Sequence, residues 1–175
     1  AAATIYFRAF DSMLKTDETE MMFEKRSRRP PENRVNALLS FVYMLLKNDT
    51  QSALESVGID PSAGYLHTLR PGRPSMALDL MEELRASLCD RFVVTLINLK
   101  QITASDFDVE NTEYKLKDKV KRKVIQEWQL RKKEIITHPY LKEKIPIGLI
   151  PYCQAMLLSK YFRGDIDGYP PFIWR

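Results

Sequence analysis

A nearly continuous apolar segment between Glu32 and Lys47 constrains the fold of this chain more than any other feature. Pro30 and Pro31 precede it, and proline is favoured at the first position of a helix. A helix that is apolar on almost every side has to be buried, so other elements must pack around it. The sequence therefore predicts an all-α, multi-helix domain. The apolar residues of this helix are Val35, Ala37, Leu38, Leu39, Phe41, Val42, Leu45 and Leu46.

A line of polar side chains runs through this otherwise apolar helix: Asn36, Ser40, Tyr43 and Lys47. A polar stripe on a buried helix faces either a wet cleft or a buried hydrogen-bond network. The alternative is a plain solvent-facing side. We interpret the four residues as candidates for lining a cleft.

Hydrophobic periodicity predicts further helices along the chain. They cover residues 1–14, 50–57, 75–100 with a bend, 117–136 and 148–162. Residues 102–116 have β character around Glu110 and Asn111, which predicts one small hairpin. The tail, about residues 164–175, is predicted to be extended and to fold back along the surface. We treat residues 1–175 as one helical domain.

Composition narrows the class of protein only slightly. The net charge of +4 and the sequence pI of about 9.0 are compatible with a polyanionic partner. Cys89 and Cys153 both lie in apolar-periodic stretches, as buried thiols of a reducing compartment do, so we predict a cytoplasmic protein. No run of about 18 apolar residues occurs, so no membrane span is predicted.

The helix beginning near Ser75 carries three carboxylates, Asp79, Glu82 and Glu83, opposite its apolar stripe. Carboxylates at this spacing repel one another unless a cation lies between them. On periodicity alone, a solvated acidic face is the commoner interpretation.

His67 follows a turn containing Asp60, Pro61 and Gly64, fifteen residues before Glu82, so its loop can bring it to the acidic face. One imidazole with carboxylates suits Mg²⁺ or Mn²⁺ better than structural zinc. A single histidine is, however, more often a structural group than a ligand.

Several basic residues are candidates for holding phosphates. Arg70 and Arg73 flank the approach to His67. The basic run 117–123 has the alternative of being a solvated helix face. His138, which precedes Pro139, is interpreted as part of a loop.

Taken together, these motifs resemble the CRISPR-associated family of integrases and endonucleases that insert new spacers into CRISPR arrays, the first-numbered of the Cas proteins. The end of the chain, from Ile145 to Pro171, resembles subtype I-C. The matching motifs are Arg29-Pro30-Pro31, Asn36-Ala37-Leu38-Leu39-Ser40-Phe41 with Tyr43, Gly58-Ile59-Asp60-Pro61 with Gly64 and His67, and Asp79-Leu80-Met81-Glu82-Glu83-Leu84-Arg85.

The resemblance implies a divalent-metal site with a glutamate, a histidine and an acidic residue as ligands. Its histidine corresponds to His67 and its acidic residue to Glu82, with Asp79 close by. The family's glutamate would lie about two residues upstream of Ala1, and its N-terminal β domain would also precede this chain. We therefore expect a C-terminal catalytic fragment that lacks one of the three ligands.

By the same resemblance, the activity is attack of a DNA 3′-hydroxyl on a phosphodiester at the edge of a CRISPR repeat. Arg70, Arg73 and the polar stripe would orient the DNA, and the partners would be DNA, a second copy of the chain and the small second-numbered Cas protein. Two alternatives remain open. One is a non-catalytic basic helical module that binds nucleic acid or protein, and the other is a metal-dependent hydrolase of another nucleic acid.

Overall fold

The chain is described by a computed structural model covering residues 2–27, 30–68, 70–111 and 113–174. Within these residues the chain is mostly helical, as the sequence predicts. Arg28, and Arg29 of the Arg29-Pro30-Pro31 motif, lie outside the described residues. The helices are α1 (Ala2–Phe10), α2 (Arg34–Ser56), α3 (Ser75–Leu84), α4 (Arg91–Asn98), α5 (Asp118–Arg131) and α6 (Ile150–Phe162).

The chain divides into two compact units. The first comprises Ala1–Tyr43 and Cys89–Gln126, and the second comprises Met44–Leu88 and Glu127–Arg175. In the first unit, the ring of Phe10 lies 4.9 Å from that of Phe23, and both side chains are fully buried. The second unit has a core of small and aliphatic side chains from α2, α3 and α6: Ala53, Leu54, Met76, Ala77, Leu80 and Ala155.

The apolar segment forms one 23-residue helix, α2, where the sequence predicts two helices separated near Thr50. The polar side chains of Asp49 and Thr50 have hydrogen-bond partners within the fold, so the helix continues through them. The buried Thr50 hydroxyl donates to the Leu46 carbonyl at 2.8 Å. Asp49 accepts from Trp128 Nε1 at 3.0 Å and from Lys132 Nζ at 2.7 Å. Local polarity therefore does not mark a helix end here.

The predicted bend in residues 75–100 is a π-helical turn, Arg85–Asp90, between α3 and α4. A π-helical turn inserts extra residues into the helical repeat, so the apolar stripe is shifted between the two helices.

Two antiparallel strand pairs complete the fold. Strands β1 (Phe107–Glu110) and β2 (Glu113–Leu116) form the predicted hairpin, and Asn111 at its turn has a φ of 45°. Strands β3 (Ile135–Thr137) and β4 (Lys144–Pro146) form a second pair that the sequence analysis does not predict. The helix expected to reach residue 136 therefore ends at Arg131.

Both cysteines are free and buried, as predicted. Among the described residues, no helix combines the length and apolarity needed to cross a bilayer.

Candidate metal site

The turn at Asp60 and Pro61 is docked onto the first residues of α3. The Asp60 carboxylate accepts the Ser62 N–H at 2.8 Å, as expected for an aspartate that initiates a turn. The Pro61 carbonyl accepts the N–H groups of Met76 and Ala77 at 2.8 and 3.2 Å. These amides belong to the first turn of α3, whose N–H groups have no partner within the helix. The loop carrying His67 is thereby held against the helix carrying the carboxylates.

Gly64 permits the close approach of this loop to α3. A Cβ atom at Gly64 would lie 2.6 Å from the backbone carbon of Ser75 and 2.8 Å from Oδ2 of Asp79. Such separations are far shorter than van der Waals contact, so residue 64 needs the missing side chain of glycine. This is a steric requirement of packing between loop and helix.

The carboxylate of Asp79 accepts four hydrogen bonds from residues 65–67. Oδ2 accepts the N–H groups of Tyr65 at 2.6 Å and Leu66 at 2.8 Å. Oδ1 accepts the N–H of His67 at 3.0 Å and lies 2.5 Å from Nδ1 of the same residue. Burial alone would raise the pKa of Asp79, but these hydrogen bonds outweigh it and hold the pKa below its usual value.

The Asp79 contact fixes the tautomer of His67. An ionised carboxylate can only accept hydrogen bonds, so Nδ1 carries the hydrogen and Nε2 of the neutral ring carries the lone pair. Within the described part of the chain, no hydrogen bond engages Nε2. This is the arrangement typical of a metal-binding histidine whose other nitrogen is held by a carboxylate. Asp79 therefore acts on the site through His67.

Glu82 and Glu83 point to different partners, although they are adjacent in the sequence. Glu82, three residues after Asp79 and partly exposed, forms an ion pair with Arg85. Glu83 accepts hydrogen bonds from Gln154 Nε2 at 3.1 Å and from the Phe172 N–H at 2.8 Å. The repulsion expected among the three carboxylates is thus relieved by separate cationic or hydrogen-bonding partners.

The donors in this site suit a hard divalent cation. A histidine nitrogen and a carboxylate oxygen are ligands that Mn²⁺ and Mg²⁺ accept, with water or substrate oxygens completing the coordination. Among residues 2–27, 30–68, 70–111 and 113–174, no group of three or more His, Cys, Asp or Glu side chains is positioned to hold a metal ion. His67 and Glu82 remain the ligands predicted from the sequence.

Arg70 and Arg73 lie at the two ends of a turn between His67 and α3. The Arg73 N–H donates to the Arg70 carbonyl at 3.0 Å, and Gly72 between them has a φ of 71°. Arg70 is exposed and Arg73 is half-buried. Both lie in the second unit with His67 and Glu82.

Three residues of the polar stripe on α2 form a hydrogen-bond network within the first unit. Asn36, fully buried, accepts from Arg26 at 2.7 Å, and Ser40 accepts from Arg26 at 3.0 Å. The Tyr43 hydroxyl donates to Asp90 at 2.5 Å. These bonds correspond to the buried-network alternative of the sequence analysis. Lys47, the fourth residue of the stripe, belongs to the second unit and is half-buried.

A buried polar chain anchors the C-terminal tail to α3, and sequence reasoning missed it. His138, interpreted from the sequence only as part of a loop, is fully buried and lies 3.0 Å from the Oε1 atom of Gln154. Gln154 Nε2 lies 2.6 Å from the Tyr169 hydroxyl, which donates to Glu83. The signal in the sequence was Gln154 itself, because a glutamine inside an apolar helix needs a buried partner.

Comparison with known proteins places these residues in a family context. The family model of the CRISPR-associated protein Cas1 matches residues 1–130, a range that includes His67, Asp79 and Glu82. A CRISPR-associated endonuclease Cas1 of Chlorobaculum tepidum is 54% identical over 175 residues, covering 99% of this chain and 51% of that protein. One of Leptospira interrogans is 47% identical over 176 residues, covering 100% of this chain and 69% of that protein. The chain thus spans about half of the first relative and about two thirds of the second.

Solved structures share the fold. A Cas1 protein from Thermotoga maritima superposes with a TM-score of 0.83 at 29% identity, covering 93% of this chain and 50% of that one. A chain of a Cas6-RT-Cas1–Cas2 complex superposes with a TM-score of 0.80 at 27% identity, covering 99% of this chain and 18% of that one.

Proposed function

This chain belongs to the Cas1 family of CRISPR-associated proteins, and we propose that it carries the metal-binding part of a spacer-integrating DNA endonuclease. The observation that carries the proposal is the contact between Asp79 and His67. It leaves Nε2 of His67 available as a ligand, on a loop docked to the helix that also carries Glu82. The His67 side chain is 24% exposed, so the ring can be reached from solvent.

In this proposal His67 Nε2 and the Glu82 carboxylate hold one Mg²⁺ or Mn²⁺ ion. When bound, the ion polarises a phosphoryl oxygen and stabilises charge on the attacking and leaving oxygens. Glu82 exchanges its ion pair with Arg85 for the cation. The Glu82 side chain is 41% exposed and can be reached from solvent, whereas the Arg85 side chain of the pair is 15% exposed. By the family resemblance, a third ligand is a glutamate about two residues upstream of Ala1.

The proposed reaction is a transesterification. A DNA 3′-hydroxyl loses its proton and bonds to phosphorus at the edge of a CRISPR repeat. The bond to the 3′-oxygen of the flanking strand breaks, and that oxygen takes up a proton. Arg70 and Arg73 hold phosphates near His67 through charge-assisted hydrogen bonds. With water as the attacking group, the same site would hydrolyse branched DNA.

The polar residues on α2 have a separate part in the proposal. Asn36 and Ser40 on α2 accept hydrogen bonds from Arg26, which lies in the segment before the helix. Tyr43 on α2 donates a hydrogen bond to Asp90. Their proposed contribution to a DNA cleft depends on this network holding Arg26 and its neighbours in place. Lys47 is proposed as a direct phosphate contact.

The proposed assembly is a dimer of this protein bridged by the second-numbered Cas protein, with protospacer and repeat DNA as substrates. Its support is the likeness to a chain of the Cas6-RT-Cas1–Cas2 complex. Membership of subtype I-C belongs to the same proposal and is supported by the segment from Ile145 to Pro171.

The test is Mn²⁺-dependent cleavage and strand transfer on branched DNA. This chain is compared with a version extended upstream to include the glutamate, each with and without His67→Ala. Activity of the extended chain that is lost in His67→Ala supports the three-ligand site. An extended chain that binds DNA but stays inert in Mn²⁺ overturns the proposal in favour of the non-catalytic basic module.

A further inference from the structure

A slot of about 650 Å³ lies between the β3–β4 loop and the C-terminal tail, which both belong to the second unit. Residues 136–140 and Lys142 line it from β3 and the loop, and residues 171–174 line it from the tail. All of them follow residue 130, the last residue that the family model matches. The volume lies within the range of about 300–1,000 Å³ that is usual for ligand-binding sites. The second unit therefore has a slot that shares no residue with the candidate metal site.

Strand β3 offers the slot an unpaired edge. In its two-stranded sheet β3 pairs with β4, and the slot is lined by residues of β3 but by none of β4, so it lies at the other edge. The N–H of His138 donates to the Glu143 carbonyl at 2.8 Å, and such bonds alternate along an antiparallel pair. The backbone groups of Ile135 and Thr137 therefore point away from β4, and no hydrogen bond among the described residues engages them. An edge of this kind is a template for a further strand.

The walls of the slot are apolar and aromatic. The side chain of Tyr140 is 50% exposed and that of Ile173 is 62% exposed. The ring centroid of the buried Phe172 lies 5.6 Å from that of His138 and 6.0 Å from that of Trp174. The N–H of Phe172 is bonded to α3, so this ring is held in place before any ligand binds. Exposed apolar side chains beside a preformed slot are typical of an interaction site.

Lys142 supplies the charge of the slot. It is exposed and has a φ of 60°, a left-handed conformation that residues other than glycine seldom adopt. Its N–H donates to the His138 carbonyl at 2.9 Å, which holds the residue in the loop. Within the part of the chain that the structure describes, no ion pair engages its ammonium group and no acidic residue lines the slot. A carboxylate on the occupant would therefore meet a cation that has no competing partner.

We propose that the slot binds an extended segment of a partner protein, which adds to the free edge of β3 as a further strand. Backbone hydrogen bonds to Ile135 and Thr137 provide affinity, and alternate apolar side chains of the segment contact Tyr140 and Trp174. A carboxylate of the segment pairs with Lys142. The expected occupant is therefore an acidic segment with alternating apolar residues. The inference is independent of the proposed function, because none of these residues takes part in it.

A strand of nucleic acid fits the slot less well than a peptide. Proteins bind nucleic acid through several cations, which neutralise successive phosphates. Among the described residues lining the slot, Lys142 is the one lysine or arginine. Burial lowers the pKa of His138, so its ring is neutral near pH 7. The free carbonyl groups of β3 would also face phosphate oxygens, whereas a peptide offers N–H donors to them.

The test selects peptides from a random linear library displayed on phage, with this chain as the immobilised target. Wild type is expected to enrich peptides with alternating apolar residues and at least one aspartate or glutamate. Lys142→Glu is expected to enrich lysine or arginine instead, because the charge of the slot is reversed. Lys133→Glu is the matched control, since Lys133 is also exposed and is not among the residues lining the slot. It should select the same peptides as wild type.

A synthetic copy of the peptide most enriched by wild type gives the affinities by fluorescence polarisation. Its Kd should rise by about 2-fold to 30-fold with Lys142→Glu, the effect of replacing an exposed ion pair by a repulsion of similar size. Replacing the acidic residue of the peptide by lysine should restore binding to this variant. Tyr140→Ala should weaken binding of both peptides, because an apolar contact is lost whatever the charge.

Hydrogen exchange followed by NMR tests strand addition itself. The N–H groups of Ile135 and Thr137 should exchange more slowly with the peptide bound, because they then donate to its carbonyl groups. A bound peptide that protects neither group overturns strand addition. The inference also fails if wild type enriches no peptide, or if Lys142→Glu selects the same peptides as wild type. Enriched peptides that match a segment of this chain overturn it in favour of a second copy, and displacement of the peptide by single-stranded DNA overturns it in favour of nucleic acid.

Discussion

The Nδ1 atom of His67 lies 2.5 Å from Oδ1 of Asp79, on the same carboxylate that accepts the backbone N–H of His67. One side chain on α3 therefore sets both the path of the loop and the orientation of the ring. Glu82, the other candidate ligand, follows one helical turn later. A substitution at Asp79 is therefore expected to change both the position of the loop and the orientation of the His67 ring.

Asp79→Asn is expected to weaken Mn²⁺ binding by about 10-fold to 100-fold, the usual effect of removing a partner of a metal-binding histidine. The asparagine amide offers one acceptor oxygen where the carboxylate offers two, and its NH₂ group cannot accept from Nδ1–H or from the loop amides. Isothermal titration calorimetry of the extended chain with Mn²⁺ measures the change. Asp60→Asn is the control, because the hydrogen bond described for the Asp60 carboxylate is to the Ser62 N–H within the same loop and not to His67. Equal effects of the two substitutions would contradict a specific role for Asp79.

Gly64→Ala is expected to destabilise the protein by about 1–3 kcal/mol, the usual range for overpacking. The new methyl group would overlap the backbone of Ser75 and the Asp79 carboxylate, so the loop has to move away from α3. Urea unfolding gives the stability, and the Mn²⁺ affinity of the extended chain should fall with it. Gly168→Ala is the matched control, since a Cβ atom there meets nothing within 4 Å. A neutral Gly64→Ala would show that the loop is not packed as described.

The sequence predicts the helical class and the positions of most helices because these follow from local periodicity. It also predicts that the loop can bring His67 to the carboxylate face of α3, where Asp79 binds its ring. It does not distinguish the three carboxylates of α3. The spacing of Asp79, Glu82 and Glu83 puts them on one helix face, but their partners come from residues 65–67, Arg85 and the tail. Only the path of the loop and of the tail decides that Asp79 orients the histidine and that Glu83 holds the tail.

The strand pair β3–β4 also depends on contacts that local sequence patterns do not reveal. Residues 132–134 are polar and directly continue the basic pattern of α5, so periodicity alone extends that helix to residue 136. Ile136 instead pairs with Ile145, nine residues further along the chain. The buried His138 lies in the connecting loop, where its burial depends on Gln154 and the ring of Phe172. These contacts are non-local and leave no periodic signal.

Tyr169→Phe is expected to cost about 1–3 kcal/mol of unfolding free energy, because it removes the hydrogen bond that the buried hydroxyl donates to the Glu83 carboxylate and the one that it accepts from Gln154 Nε2. Burial and the nearby Glu83 raise the pKa of Tyr169 well above its usual range, so its hydroxyl remains a donor at any ordinary pH. Hydrogen exchange reports the local effect, since the Phe172 N–H donates to Glu83 at 2.8 Å and should lose protection. Tyr152→Phe, on the same helix as Gln154 but partly exposed, should change neither quantity.

His138 is expected to make stability depend on pH. Burial lowers its pKa from 6.5, although Gln154 and Glu83 partly offset the effect. The unfolded chain therefore takes up a proton more readily than the folded protein. It follows that this contribution is fully present above about pH 6.5 and is lost as the pH falls through the lower, folded-state pKa.

The ring contacts of His138 explain why protonation is unfavourable. Nδ1 accepts the N–H groups of Tyr140 at 3.3 Å and Leu141 at 3.1 Å, and Nε2–H donates to Gln154 Oε1. A proton on Nδ1 would face two other donors and break both bonds.

Urea unfolding of wild type and His138→Asn between pH 5 and pH 8 tests this prediction. The wild-type advantage should be largest above pH 6.5 and should shrink as the pH falls, by at most about 1.4 kcal/mol per pH unit. His67 is the only other histidine, so the comparison is repeated in a His67→Ala background, in which His138 is the sole histidine. A difference between wild type and His138→Asn that stays constant across this range would mean that His138 does not titrate differently in the folded and unfolded chains.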